Sequence, residues 1–252
     1  MTEEAIRIPS AGAIFWAEAM PDGSAGQRAI AGPPPMMQVT LTSTLPSGLS
    51  ASTGTRGLVI LRPAMLYDHV LTETDLTTLP SVAAFTVSGI AMALDGRFHP
   101  RQFSVAPTAG VPSYVPLRPS LQATRIGEAG AVVLNLRWQN GTVASWSVLK
   151  MVCTRNGVTL GFSGQADVNG DVIVPLTGLP PLPASQTNDS MTVTALGDAT
   201  QSGQSVANPD ALKPVQIAIG GAFAAQQSVA VTRGQISTLT TLALPSVTLQ
   251  SN

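Results

Sequence analysis

Residues Gly161–Pro181 read GFSGQADVNGDVIVPLTGLPP, and the choice between two readings of this stretch decides the fold. Asp167, Asn169 and Asp171 stand at alternate positions around Gly170, a spacing that suits oxygen ligands for calcium. An EF-hand loop needs oxygens at positions 1, 3 and 5, glycine at 6 and a bidentate glutamate at 12. Counted from Asp167, the sixth residue is Val172 and the twelfth is Gly178, and no helical pattern flanks the loop. The other reading is a turn. Asn169-Gly170 supplies the positive φ angles of a tight hairpin, and Val172-Ile173-Val174 continues as a buried strand. The turn reading places this stretch at the centre of a β-sandwich.

The surrounding sequence agrees with strands. AVVLNLRW, from Ala131 to Trp138, sets Val132, Leu134, Leu136 and Trp138 against Val133, Asn135 and Arg137. Such period-two alternation marks a half-buried strand. Asn140-Gly141 and Asn156-Gly157 read as turns on either side of SWSVLKMVCT. VTLGF, DVIVPL, SMTVTALG, PVQIAI, QSVAVT and GQISTLTTLAL follow as further short strands. This spacing predicts an all-β sandwich over residues 120–252.

Residues 57–119 gather their apolar side chains into LVIL, AAFTVSGIAMAL, FSVA and SYVPL, with Asp95-Gly96 as a hairpin signal. They predict a second, smaller β-rich domain. A short helix is expected around Thr72–Leu79, its acidic start favoured by the helix dipole. Residues 1–56 read as an extended N-terminal arm and linker, with a stiff AGPPP segment, one alternating strand in MMQVTLTST and a Gly/Ser/Thr-rich run to Gly57. Within it Ile14, Phe15 and Trp16 form an apolar knot. That knot either anchors in a partner's groove or folds back on its own domain.

Composition narrows the function classes. Of 252 residues, 44% are hydrophobic but only 4% aromatic, and 11% are charged, against roughly 25% in an ordinary soluble domain. Thirteen basic and 14 acidic residues leave a net charge of −1 without a basic block, so no phosphate-neutralising footprint for nucleic acid is expected. The beginning, MTEEAIRIPSAG, has no apolar core of a secretory signal, and no apolar run is long enough to span a bilayer. Cys153 is the single cysteine, which excludes an internal disulfide. A weakly charged surface rich in small residues suits an assembly, including a homo-oligomer.

Enzymatic patterns are sparse. His69 and His99 are far apart and Cys153 stands alone, so zinc spacing is absent. His99 reads as an exposed turn histidine and His69 as a surface or interface residue. GFSGQ misses the nucleophile-elbow pattern at Gln165, Cys153 reads as a buried small hydrophobe, and Glu73 and Asp75 offer no reason to be chosen as a catalytic pair. Trp138 and Trp146 read as core residues on adjacent strands. No cofactor or metal is expected.

GQADVNGDVIVPLTGLPP resembles the central signature of carboxypeptidase-regulatory-like (transthyretin-like) β-sandwich modules, which stand near the Ig-like domains. Ala166-Asp167, Gly170, Val172-Ile173-Val174 and Leu179-Pro180 carry the resemblance, with Val172 where an aromatic is common. VAVTRGQISTLTTLAL is similar to the closing hairpin of such modules. The resemblance implies a packing, spacing or adhesion unit without chemistry of its own, of the kind that decorates bacteriophage tails and baseplates. The expected role is therefore a non-enzymatic structural component of a phage virion (tail, baseplate or collar) or related contractile injection particle. It would be made in the host cytoplasm and dock on other structural proteins of the particle. A surface module recognising glycan or peptide is the alternative, and an unrecognised hydrolase stands third.

Overall fold

The computed structural model describes residues 10–22, 26–30, 35–54, 57–61, 84–182, 185–238 and 246–251. The expected helix at Thr72–Leu79 and His69 lie outside them. The described chain is all-β, with two short 3-10 turns at Ala199–Gln201 and Pro209–Ala211. Its buried side chains form two cores, one drawn from residues between Ala11 and Leu117 and the other from residues between Ala129 and Leu249.

The first body contradicts the expectation of an extended arm. Strand β1 (Ser10–Ala19) lies inside a sheet, parallel to β8 (Pro112–Leu117) on one side. On its other side it pairs with β5 (Gly57–Leu61) and, further along, with β2 (Gln27–Arg28). β4 (Ser50–Thr53) continues this sheet beyond β5. A second sheet has the order β3 (Met37–Leu41), β6 (Val87–Ala93), β7 (Arg101–Val105). The described residues before Gly57 and those after it thus share one core, in which Ile14 and Trp16 meet Leu58, Ile60, Val87 and Phe103. Gly57 makes the junction possible: a Cβ built there would lie 2.1 Å from the Ile14 carbonyl oxygen. The expected hairpin at Asp95-Gly96 joins β6 to β7, with Gly96 at φ 68°.

Among the described residues the second body contains nine strands. β10 (Val148–Arg155) pairs with β11 (Val158–Gln165) through the left-handed turn of Asn156 and Gly157, and with β13 (Asp189–Gly197) on its other side. β15 (Gln227–Val231) lies beside the first half of β13. The opposite face is built on β9 (Gly130–Trp138), flanked by β12 (Asp171–Pro175) on one side. On its other side β9 carries β16 (Gln235–Thr238) and β17 (Ser246–Gln250), both parallel to it. β14 (Lys213–Ala218) connects the faces: its first half pairs with β13 and its second half with β17. A strand that changes partners along its length turns a sheet corner, so the two faces form one curled sheet around a shared core. Val132, Leu134, Leu136 and Trp138 are buried as the alternation predicted, against Met151, Val172, Val193 and Ile217.

Three local expectations need correction. Asn169-Gly170 does not close a hairpin, because β11 pairs with β10 while β12 pairs with β9. Only Gly170 of the pair is left-handed, at φ 82°. VAVTRGQIST is likewise no hairpin, since β15 joins β13 and β16 joins β9. Nor do Trp138 and Trp146 sit on adjacent strands. Trp138 ends β9, and Trp146 lies in the crossover that carries the chain to β10 on the other face. The physical reason is common to all three. A turn signal fixes a local reversal, whereas burying both faces of so many short strands requires the chain to cross between sheets.

Candidate functional site

The turn between β11 and β12 is held by backbone groups, and this decides its chemistry. Asp167 Oδ1 accepts hydrogen bonds from the backbone N–H of Asn169 at 2.7 Å and of Asp171 at 3.0 Å. Asn135 on β9 reaches across and donates to the Asn169 carbonyl at 2.9 Å and to Asp171 Oδ1 at 2.8 Å. The spaced acids therefore stitch a corner to the neighbouring strand. Among the described residues no group of His, Cys, Asp and Glu side chains is arranged to hold a metal ion.

Ile14, Phe15 and Trp16, expected as an interaction knot, are divided by the strand they occupy. Ile14 and Trp16 point into the first core, and the Trp16 ring meets Phe103 edge-on at 5.9 Å. Phe15 points the other way, half-buried against the exposed Tyr114 on β8. Two of the three residues are thus engaged within their own body, as the fold-back alternative describes.

A polar seam missed by the sequence reading joins the two bodies. Residues 198–211, between β13 and β14, leave the second body as a strap. Asp198 caps the first 3-10 turn by accepting the Thr200 N–H. Gln201 clamps the strap on itself, its Nε2 donating to the Asn208 carbonyl and its Oε1 accepting the Asn208 N–H, both at 2.8 Å. Ala207 then pairs with the first body, donating to the Pro100 carbonyl at 3.0 Å and accepting from the Gln102 N–H at 2.7 Å. Arg101, at the start of β7, is buried there. Its guanidinium donates to the Pro116 carbonyl and lies 3.5 Å from the Asp210 carboxylate. Burial lowers its pKa to about 10, with Asp210 opposing that shift, so it remains a cation at neutral pH.

Trp146 and His99 close the seam. Trp146 holds a left-handed backbone at φ 63°, which is rare for so bulky a residue. Its surroundings over-determine that conformation. The indole N–H donates to the Gln204 carbonyl of the strap at 2.8 Å, and its own carbonyl accepts from Gln165 Nε2 at 3.1 Å. The ring meets His99 of the first body edge-on at 5.6 Å. His99 is 6% exposed, and its Nε2 has no hydrogen-bond partner. Burial, reinforced by the Arg118 charge, lowers its pKa to about 4, against the opposing pull of Asp167 and of a hydrogen bond to the Gln165 backbone. The exposed turn histidine of the sequence reading is thus a neutral residue in a buried joint. The signal that points to it is local: Phe98 and Pro100 flank it, and an aromatic before and a proline after favour a packed bend over a free loop.

The remaining features are strand edges. Among the described residues β3 pairs only with β6, β15 only with β13 and β4 only with β5. MQVTL, QSVAV and SAST contain no charged residue and no proline. β6 and β7, with the strap, also border an open groove of about 480 Å³ lined by Thr42, Ser88, Gln102, Ser104, Asn208 and Asp210 among others. Among the described residues no helix is long and apolar enough to cross a membrane. No known protein family, characterised protein or solved structure matches the chain.

Proposed function

We propose that this chain is a non-enzymatic structural component of a bacteriophage virion or a related contractile injection particle. It works as a rigid pair of β bodies that docks on neighbouring subunits by strand addition, with no bond made or broken. One observation carries the reading: the edges of β3, β4 and β15 are uncharged and free of proline among the described residues. Proteins that stay apart blunt such edges with lysine, proline or bulges, because an open ladder of N–H and C=O groups recruits another strand. Edges left open suit a chain whose working state is an assembly. The sparse charge and the near absence of lysine support the same reading, since little repulsion opposes close packing. The seam at Arg101, Trp146 and His99 supports the rigidity that a building unit needs.

Mass spectrometry of purified virions or injection particles from the source organism tests this. The chain is expected among the stoichiometric particle proteins, and its absence from them overturns the proposal.

The groove on β6 and β7 favours a second reading, a surface module for glycan or peptide. Its hydroxyl, amide and carboxylate side chains offer both donors and acceptors. Glycan- or peptide-array binding that is lost on Gln102→Ala and Ser104→Ala substitution would support that alternative.

A further inference from the structure

We infer that β3 pairs antiparallel with β3 of a second copy of this chain, about a two-fold axis at Val39, fusing the two β3–β6–β7 sheets into one. This rests on the strand-addition reading above and names its partner and register.

The hydrogen-bond pattern on the inner side of β3 fixes what its outer side presents. The Leu94 N–H donates to the Met36 carbonyl, and the Thr42 N–H donates to the Ser88 carbonyl, each at 2.8 Å. With Gln38 opposite Met92 and Thr40 opposite Ile90, the even-numbered residues form the hydrogen-bonded pairs with β6. In an antiparallel ladder such pairs alternate with pairs whose N–H and C=O point away. Met37, Val39 and Leu41 therefore direct their backbone groups to the free side, where no described residue pairs with them. A two-fold axis at Val39 sets Val39 opposite Val39 and Met37 opposite Leu41. These are the residues with outward groups on both copies, so every pair can exchange both of its bonds.

The side chains obey the same symmetry. Met37, Val39 and Leu41 face the first core beside Gly89, Ala91 and Ala93 of β6, yet remain only half-buried because the edge ends there. Gln38 and Thr40 are exposed on the other face. Pairing at Val39 puts apolar against apolar underneath and Gln38 against Thr40 on top. β15 and β11 fit less well. β15 centred on Val229 would set Gln227 against Val231, and the Gln227 amide already bonds the Ile217 and Ala222 carbonyls. On β11, a Cβ on Gly161 would meet Asp22 and one on Gly164 would meet the Ile173 carbonyl, so this strand is already covered. Self-complementarity of a surface patch is what an isologous dimer requires.

The test uses the whole chain in sedimentation velocity over a range of concentrations. The parent is expected to dimerise reversibly. Gln38→Lys combined with Thr40→Lys sets like charges directly opposite across the axis, and should weaken dimerisation about tenfold or more. Gln38→Glu combined with Thr40→Lys sets opposite charges there and should retain it. Both variants change exposed positions only, so circular dichroism should match the parent. A parent that stays monomeric at high concentration overturns the inference, as does a dimer that both double variants leave equally strong. A dimer with the expected charge response in a chain absent from particles would refute the particle role and leave the pairing standing.

Discussion

Acid should loosen the joint between the two bodies through His99. The perturbation is a fall in pH from about 7.5 to about 4.5, compared between the parent and a His99→Gln variant. In the folded chain the imidazole titrates near 4, whereas an unfolded chain protonates it near 6.5. Between those values the unfolded state binds more protons than the folded state, so stability rises with pH across the window. It is lost as pH falls from about 6.5 towards 4 and changes no further below. Integrating the two titrations gives a loss of about 2–3 kcal/mol at pH 4.5 relative to pH 7.5. The cause is physical. A proton on His99 places a second cation beside Arg118 in a buried seam, with Asp167 and the Gln165 carbonyl giving partial compensation. Carboxylates also titrate in this range, and the Gln variant carries the same ones, so the difference between the two pH dependences isolates the histidine. Urea denaturation followed by tryptophan emission reads it, because Trp146 lies against the imidazole. The parent should lose about 2–3 kcal/mol more than the variant. Equal losses would refute the reasoning and place a proton-accepting environment around His99.

Three further outcomes follow from particular contacts. Gly170→Ala should cost at least about 1–2 kcal/mol from the left-handed backbone alone, and more because a Cβ there would lie 2.5 Å from the Leu136 carbonyl oxygen; chemical denaturation measures it. Arg155 ion-pairs with the buried Asp189 and donates to the Pro180 and Pro181 carbonyls. Arg155→Ala should therefore cost about 3–5 kcal/mol by leaving a buried carboxylate without its partner, whereas an exposed arginine would cost less than about 1 kcal/mol. Burial, with Asp189 beside it, pushes the Cys153 thiol above its ordinary pKa. A thiol-specific chromophoric disulfide at pH 8 should leave it unmodified in the native protein and label it fully in denaturant.

The fold class was legible from patterns on a scale of a few residues. The Val132, Leu134, Leu136, Trp138 alternation, the Asn156-Gly157 turn and the Asp95-Gly96 hairpin each act through neighbours in sequence, and each stands in the structure as read. β1 was not legible as a strand. Alanines dilute the alternation of SAGAIFWAEA, and its burial comes from β5 and β8, the latter nearly a hundred residues away. The seam was invisible for a related reason. His99, Arg101, Trp146 and Asp210 carry no shared motif, and they meet only because the strap between β13 and β14 reaches β7.

The stretch Gly161–Pro181 shows where the two kinds of information divide. Sequence alone determined that the chain turns at Asn169-Gly170, that a buried strand follows at Val172–Val174, and that the calcium ligand set is incomplete at Val172 and Gly178. Those properties depend on φ preferences, side-chain period and ligand chemistry, all local to the chain. Only tertiary structure decided that the turn is a corner and not a hairpin. β12 pairs with β9, which carries β16 and β17 on its other side, and this position buries Val172 and Val174 in the shared core. Partner choice is a comparison of whole-sheet burial, a free energy that no short window of sequence contains.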